Sequence, residues 1–280
     1  MIKIIDLDGL FDEYISDYVY KNIGKIKPEE IENKVPVLYN KFGDEKLKEL
    51  DGKTPNEFYR SYSANELLDC LKRHLEEKVP VSDFLCEALR DCDTENEIAE
   101  ELLKDNEEEY TLYLMNVLLE KKSDKAVPRY LEFVMFDYPL PVKELASEIL
   151  QGYADRVKED ILSQYNDCDK DTKELLVDIL SHAKKDDRIF EILLNGFLYN
   201  QDKIPLYAGY LGKYGDERAL PYLKTVAESD KISYADFEEV RFAIEMLGGE
   251  CKAKRDFSSD ATYKKIKNVN KKKNNNDVVS

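Results

Sequence analysis

From residue 107 to residue 229 the apolar positions of this chain recur in two ways. Within short segments they fall three and four residues apart, the spacing that lines one face of an α-helix. Between segments they recur at a fixed step of 31 residues. Counting back from Leu223 gives Ile192, Ile161 and Tyr130, and from Leu211 gives Leu180, Ile149 and Leu118. Counting back from Ala208 gives Val177, Ala146 and Met115, and from Tyr207 gives Leu176, Leu145 and Leu114. All sixteen positions are apolar in a chain that is 42% hydrophobic. Chance gives such a run on the order of one time in a million, before allowing for the choice of columns and period.

Each step holds two helices. VKELASEILQGYAD, TKELLVDILSHAKKD and IPLYAGYLGKYGD are copies of one, and KAVPRYLEFV, RVKEDILSQY, RIFEILLNGF and ERALPYLKTV are copies of its partner. The partner helix is expected to begin near Asp124, Asp155, Asp186 or Asp216. The stretch LGKYGDERALPYL, from Leu211 to Leu223, shows the punctuation. Gly215 suits the left-handed residue that ends a helix, and the Asp216 carboxylate suits the cap of the next. Pro221 lies one turn too deep for a helix counted from Asp216, so a late start or a kink is expected there. Neither helix of a pair can cover its apolar face alone, so the pairs must stack.

This pattern resembles the short HEAT-like repeats, the kind also found in phycobilisome lyase-type proteins. The carrying motif is Leu211-Gly212-x-x-Gly215-Asp216-x-Arg218-Ala219-x-Pro221-x-Leu223, with a weaker second copy in SDKAVPRYL at 123–131. VRFAIEMLGGE at 240–250 looks like the inner helix of a further repeat. The resemblance implies an all-α fold, an α-α superhelix of stacked helix pairs. It implies little chemistry: such repeats mostly bind other proteins, while some relatives act on DNA bases or attach bilins.

Upstream, SANELLDCLKRHLEEK (63–78) opens with a capping pair, Ser63 and Glu66, and VSDFLCEALRD (81–91) and TENEIAEELLKD (94–105) read as divergent repeats. Gly52-Lys53-Thr54 is reminiscent of a phosphate loop. That loop needs a glycine five residues before its Gly-Lys, where this chain has Leu47, so Thr54-Pro55-Asn56-Glu57 is read as a helix start instead. The expected organisation is an N-terminal helical cap over residues 1–60, a HEAT-like α-solenoid over 61–250, and a disordered basic tail over 251–280 rich in lysine and asparagine.

The charge divides along the chain. The net charge is -17. Residues 252–280 hold nine Lys or Arg against three Asp, a balance of +6, which leaves -23 for residues 1–251. A body that acidic repels nucleic-acid backbones, so a nucleic-acid contact is expected only through the tail. The same charge favours a partner protein with a basic segment. No run of 18 apolar residues suggests a membrane span. The first residues, MIKIIDLDGLFDEY, lack an unbroken apolar core, so a cytoplasmic location is expected.

Candidate chemistry is sparse. Cys70 and His74 lie four apart on a predicted helix, and Cys86 and Cys92 follow; together they would make a zinc set, but no Cys-x-x-Cys knuckle is present. The alternative is buried thiols beside a surface histidine. Acidic runs such as Glu107-Glu108-Glu109 are expected on so acidic a chain without any function. No nucleophile stands with a base and an orienting group, so no catalytic residue, metal or cofactor is assigned. The tyrosines are more suggestive, 19 in a chain without Trp. Tyr210, Tyr214, Tyr199 and Tyr222 crowd the last repeats and are expected to form a partner-binding patch in the concave groove. The chain thus reads as a non-enzymatic interaction module or scaffold that takes a basic or amphipathic segment of another protein. The alternative is a DNA-base-acting or lyase-like enzyme on the same repeats.

Overall fold

The computed structural model describes residues 3–24 and 27–267. Among these residues there are sixteen α-helices between Leu7 and Met246, a further helical stretch over 261–267, no strand, and four single turns of 3-10 helix. None of the helices is long and apolar enough to cross a membrane. By its contacts the chain divides into two compact units. Residues up to 133, with 137–145, form the first; residues 134–136, with those from 146 on, form the second.

The first unit contains α1 (Leu7–Lys21), α2 (Pro28–Glu32), α3 (Val35–Gly43), α4 (Pro55–Phe58), α5 (Ala64–Glu76), α6 (Asp83–Asp91), α7 (Glu95–Leu102) and α8 (Glu108–Glu120). It also holds most of α9 (Val127–Met135) and the start of α10 (Leu140–Gln151). The described residues up to 60 fall in one compact unit with the helices that follow them. Phe11 of α1 meets Tyr39 edge-on at 4.9 Å, and Tyr39 stacks on Phe84 of α6 at 4.8 Å. Such pairs add to area burial and tie the N-terminal helices to the residues beyond 60. Thr54 caps α4: its hydroxyl accepts the Glu57 N–H at 3.2 Å, and Glu57 accepts the Thr54 N–H at 3.3 Å. The Glu66 carboxylate accepts both the N–H and the hydroxyl of Ser63, at 2.8 and 2.7 Å, before α5. Both helix starts therefore follow the sequence signals.

The second unit contains the rest of α10, then α11 (Ala154–Gln164), α12 (Lys170–Leu180), α13 (Asp187–Tyr199), α14 (Ile204–Tyr214), α15 (Leu220–Ala227) and α16 (Tyr234–Met246). Gly215 ends α14 at φ 75°, in the left-handed region. A 3-10 turn over Glu217–Ala219 follows, with the Asp216 carboxylate accepting from the Arg218 N–H. Only then does α15 start, so Pro221 sits in its first turn, where its missing N–H costs nothing. The late start resolves the proline.

Of the sixteen columned positions, fourteen are buried; only Leu145 and Ile192 are half-buried. Polar contacts keep a similar step. In the second unit Ser147 donates to the Leu175 carbonyl and Gln151 to Asp178. Asp155 accepts the Lys184 N–H, and Arg188 makes a two-pronged pair with Glu159. Lys203 meets Glu174, and Arg218 meets Asp187. In the first unit Lys121 donates to the carbonyls of Arg90 and Cys92, and Lys125 to Asn96. The exposed ion pairs among these are individually weak; their value is register.

The stretch expected to be disordered from residue 251 departs from that expectation over 251–267. Arg255 donates to Asp230 at 2.6 Å, and Phe257 packs on Tyr234 and Phe237 at 5.3 and 5.1 Å. The lysine and asparagine content conceals two aromatic anchors, Phe257 and Tyr263. The remainder of that expectation, 268–280, lies outside the described residues.

Candidate binding cleft

The first unit carries a cleft of about 1030 Å³ bounded by α5, the α7–α8 loop, the first turn of α8, Phe133 and the stretch 137–142. Its floor is apolar: Leu75, Tyr110, Phe133, Tyr138 and Val142 line it, with Tyr110, Phe133 and Val142 buried. Its rim carries six carboxylates, Glu76, Asp105, Glu107, Glu108, Glu109 and Asp137, against Lys72 and Lys104. All six acids lie on exposed residues. Lys104 is already paired with Glu101, so the rim presents a strong negative excess.

Local chemistry explains the arrangement. Glu107 occupies the N-cap position of α8, and Glu108 and Glu109 fill its first turn. Acidic side chains are stabilised there by the positive end of the helix dipole. Asn106 donates to the Glu101 carbonyl at 2.8 Å, and Thr111 donates to the Glu107 carbonyl at 3.0 Å; both bonds fix the loop. Arg129 organises the far wall. Its Nε donates to the Leu102 carbonyl at 2.8 Å, and Nη1 donates to Glu132 at 2.6 Å. Its guanidinium lies 4.7 Å from the Phe133 ring centre and 5.3 Å from that of Tyr138, whose rings meet edge-on at 4.8 Å. A cation over two rings thereby clamps the Tyr138 loop to α7 and α9. Burial pushes the Tyr110 hydroxyl above its ordinary pKa, with Glu101 and Asp69 adding to it.

The tyrosines singled out from the sequence do not form an open patch. Tyr210 and Tyr214 are 8% and 5% exposed, and are part of the core. Tyr214 bridges two helix pairs: its hydroxyl accepts the Asp186 N–H at 2.5 Å and donates to the Asp186 carbonyl at 3.0 Å. Tyr210 meets Tyr207 edge-on at 5.9 Å, and burial raises its pKa. Tyr199 is 80% exposed and Tyr222 42%. Helix α14 therefore buries a wider stripe than the three columns 207, 208 and 211 anticipated.

The histidine reading also changes. His74 is fully buried, not on the surface. Its Nδ1 lies 2.8 Å from the Pro80 carbonyl and its Nε2 3.4 Å from the Tyr59 hydroxyl. The carbonyl can only accept, so Nδ1 carries the proton and Nε2 accepts from Tyr59. Among the described residues no three His, Cys, Asp or Glu are placed to hold a metal. Of the five thiols only Cys70 is fully buried. Burial pushes Cys70 up to about 12 and Cys86 up to about 11, with Asp83 reinforcing Cys86.

The cleft residues were hidden in the sequence for a clear reason. Glu107–Glu109 look like any acidic run, and the floor comes from segments far apart in the chain. The local signal was DYPLP at 137–141, an aromatic between an acid and two prolines where a loop leads into α10. Compared with known proteins, the chain matches no family model, no curated protein and no solved structure.

Proposed function

We propose that this protein is a non-enzymatic interaction module built on HEAT-like helix pairs, and that it takes a basic, amphipathic segment of another protein in the cleft of its first unit. The supporting observation is the pairing of an apolar floor with a rim of six carboxylates and two lysines. Apolar burial would supply affinity, and the rim would supply rate and selection of partners. This moves the binding role from Tyr210 and Tyr214 to the half-buried Leu75 and Tyr138 and to Glu107–Glu109.

The test is a fluorescence-anisotropy titration of the full chain against a labelled helical peptide of lysine and leucine. Exposed charge pairs contribute about 0.2–1 kcal/mol each. Replacing three of them together, Glu107→Gln, Glu108→Gln and Glu109→Gln, is expected to weaken binding about tenfold. Binding should also weaken as salt rises. Equal binding by the wild type and the triple variant rejects the cleft as the site.

A further inference from the structure

We infer that the chain carries a ligand for this cleft itself: the basic C-terminal segment of a second copy, from Tyr263 onward. This rests on the cleft being a site for basic amphipathic segments. Three observations support it.

The first is composition. Residues 263–280 hold six lysines and one aspartate. The second is presentation. Arg255 is held by Asp230 and by the Glu228 carbonyl, at 2.6 and 3.1 Å. Tyr263 packs on Tyr234 at 5.1 Å, and Asp260 accepts the N–H groups of Thr262 and Tyr263 at 2.8 and 3.0 Å. The root of the segment is thus fixed on the second unit. Beyond it, residues 261–267 are helical, with Ile266 43% exposed among the exposed Lys264, Lys265 and Lys267. An apolar residue flanked by cations on one short helix fits an apolar floor with an acidic rim. The third is length. Thirteen further residues, 268–280, follow and carry Lys271, Lys272 and Lys273. They extend the reach by up to about 45 Å.

Charge alone would place the segment anywhere on so acidic a body. The half-buried Leu75 and Tyr138 favour this cleft, because they offer apolar surface beside the acidic rim against which Ile266 can be covered. Each copy offers one cleft and one tail, on different units. Tail-to-cleft contact is then heterologous: exchanged reciprocally it closes a dimer or ring, and otherwise it goes on adding copies. It also makes the tail a competitor of any outside partner.

The experiment uses the full chain and a labelled synthetic peptide of residues 261–280, beside the lysine–leucine peptide. The expected result is that both bind and both lose about tenfold to the Glu107/Glu108/Glu109→Gln variant. Ile266→Ser with Val269→Ser in the tail peptide, which keeps every lysine, should weaken binding further. If the lysine–leucine peptide binds and the tail peptide does not, the inference fails and the interaction module stands. The same holds if the tail peptide ignores the glutamate substitutions or the loss of Ile266 and Val269. If neither peptide binds, both readings fail. Sedimentation of the full chain well above the tail peptide's Kd should show concentration-dependent association. A chain that stays monomeric there overturns the second-copy assignment.

Discussion

Two glycines in the second unit sit in helix interiors and invite the same substitution with opposite results. A Cβ on Gly196 of α13 would lie 1.9, 2.4 and 2.6 Å from three atoms of the Tyr207 ring. Against ordinary contact from 3.4 Å upward, the nearest atom must retreat by about 1.5 Å. Tyr207 is 8% exposed and meets Tyr210 edge-on, so its ring has little room to move. Overpacking of this kind costs about 1–3 kcal/mol, partly offset by about 0.5–1 kcal/mol that alanine gains over glycine in a helix. A Cβ on Gly209 of α14 would meet nothing within 4 Å, so only the gain remains. Gly196→Ala is expected to lose about 0.5–2 kcal/mol and Gly209→Ala to gain about 0.5–1. At about 2–4 °C per kcal/mol, the melting temperatures should move in opposite directions and differ by several degrees. Far-UV circular dichroism with heat, and again with urea, measures this. Equal melting temperatures for the two variants, or a less stable Gly209→Ala, would refute the packing of α13 on α14 described above.

Three further outcomes follow from buried polar groups. Tyr59→Phe should cost about 1–3 kcal/mol by leaving His74 Nε2 without its partner, and His74→Leu should cost more, since it strands both the Pro80 carbonyl and the Tyr59 hydroxyl; urea titration checks the order. Tyr214→Phe should lower stability by about 1–2 kcal/mol, through the lost bonds to Asp186, and leave peptide affinity unchanged; a loss of affinity without a loss of stability would restore the tyrosine patch. Cys70 and Cys86 should react slowly with a thiol reagent at pH 8 and quickly in denaturant, because their folded pKa values are raised to about 12 and about 11. The sign for stability follows: their contribution is whole below the unfolded thiol value near about 8.5 and is lost as pH rises through the folded values.

The all-helical fold could be read from the sequence because the apolar positions keep helical spacing. The column 115, 146, 177 and 208 is fully buried, as the apolar spacing along each helix anticipated. Caps were equally legible, because Thr54, Ser63 and Gly215 act through their own backbone within a few residues. Where the reading stopped short, the missing fact was tertiary. Tyr210 and Tyr214 carry the residue type of a binding anchor, but their depth depends on how closely the next helix approaches. At Gly212 that approach is tight: an added Cβ would stand 3.2 Å from the Ala243 Cα of α16. His74 likewise looks like a surface residue beside an apolar stripe, until the 75–82 turn brings the Pro80 carbonyl back over it. The cleft needed α5, the α7–α8 loop, α8, Phe133 and the 137–142 stretch together, and no local spacing records that meeting.

The most direct test of the central claim is hydrogen–deuterium exchange of the full chain with and without the saturating lysine–leucine peptide. The account predicts added protection confined to the 104–111 and 137–142 segments, with exchange around Tyr210 and Tyr214 unchanged. Protection centred on α14, or bound peptide without any protection in those two segments, would contradict it.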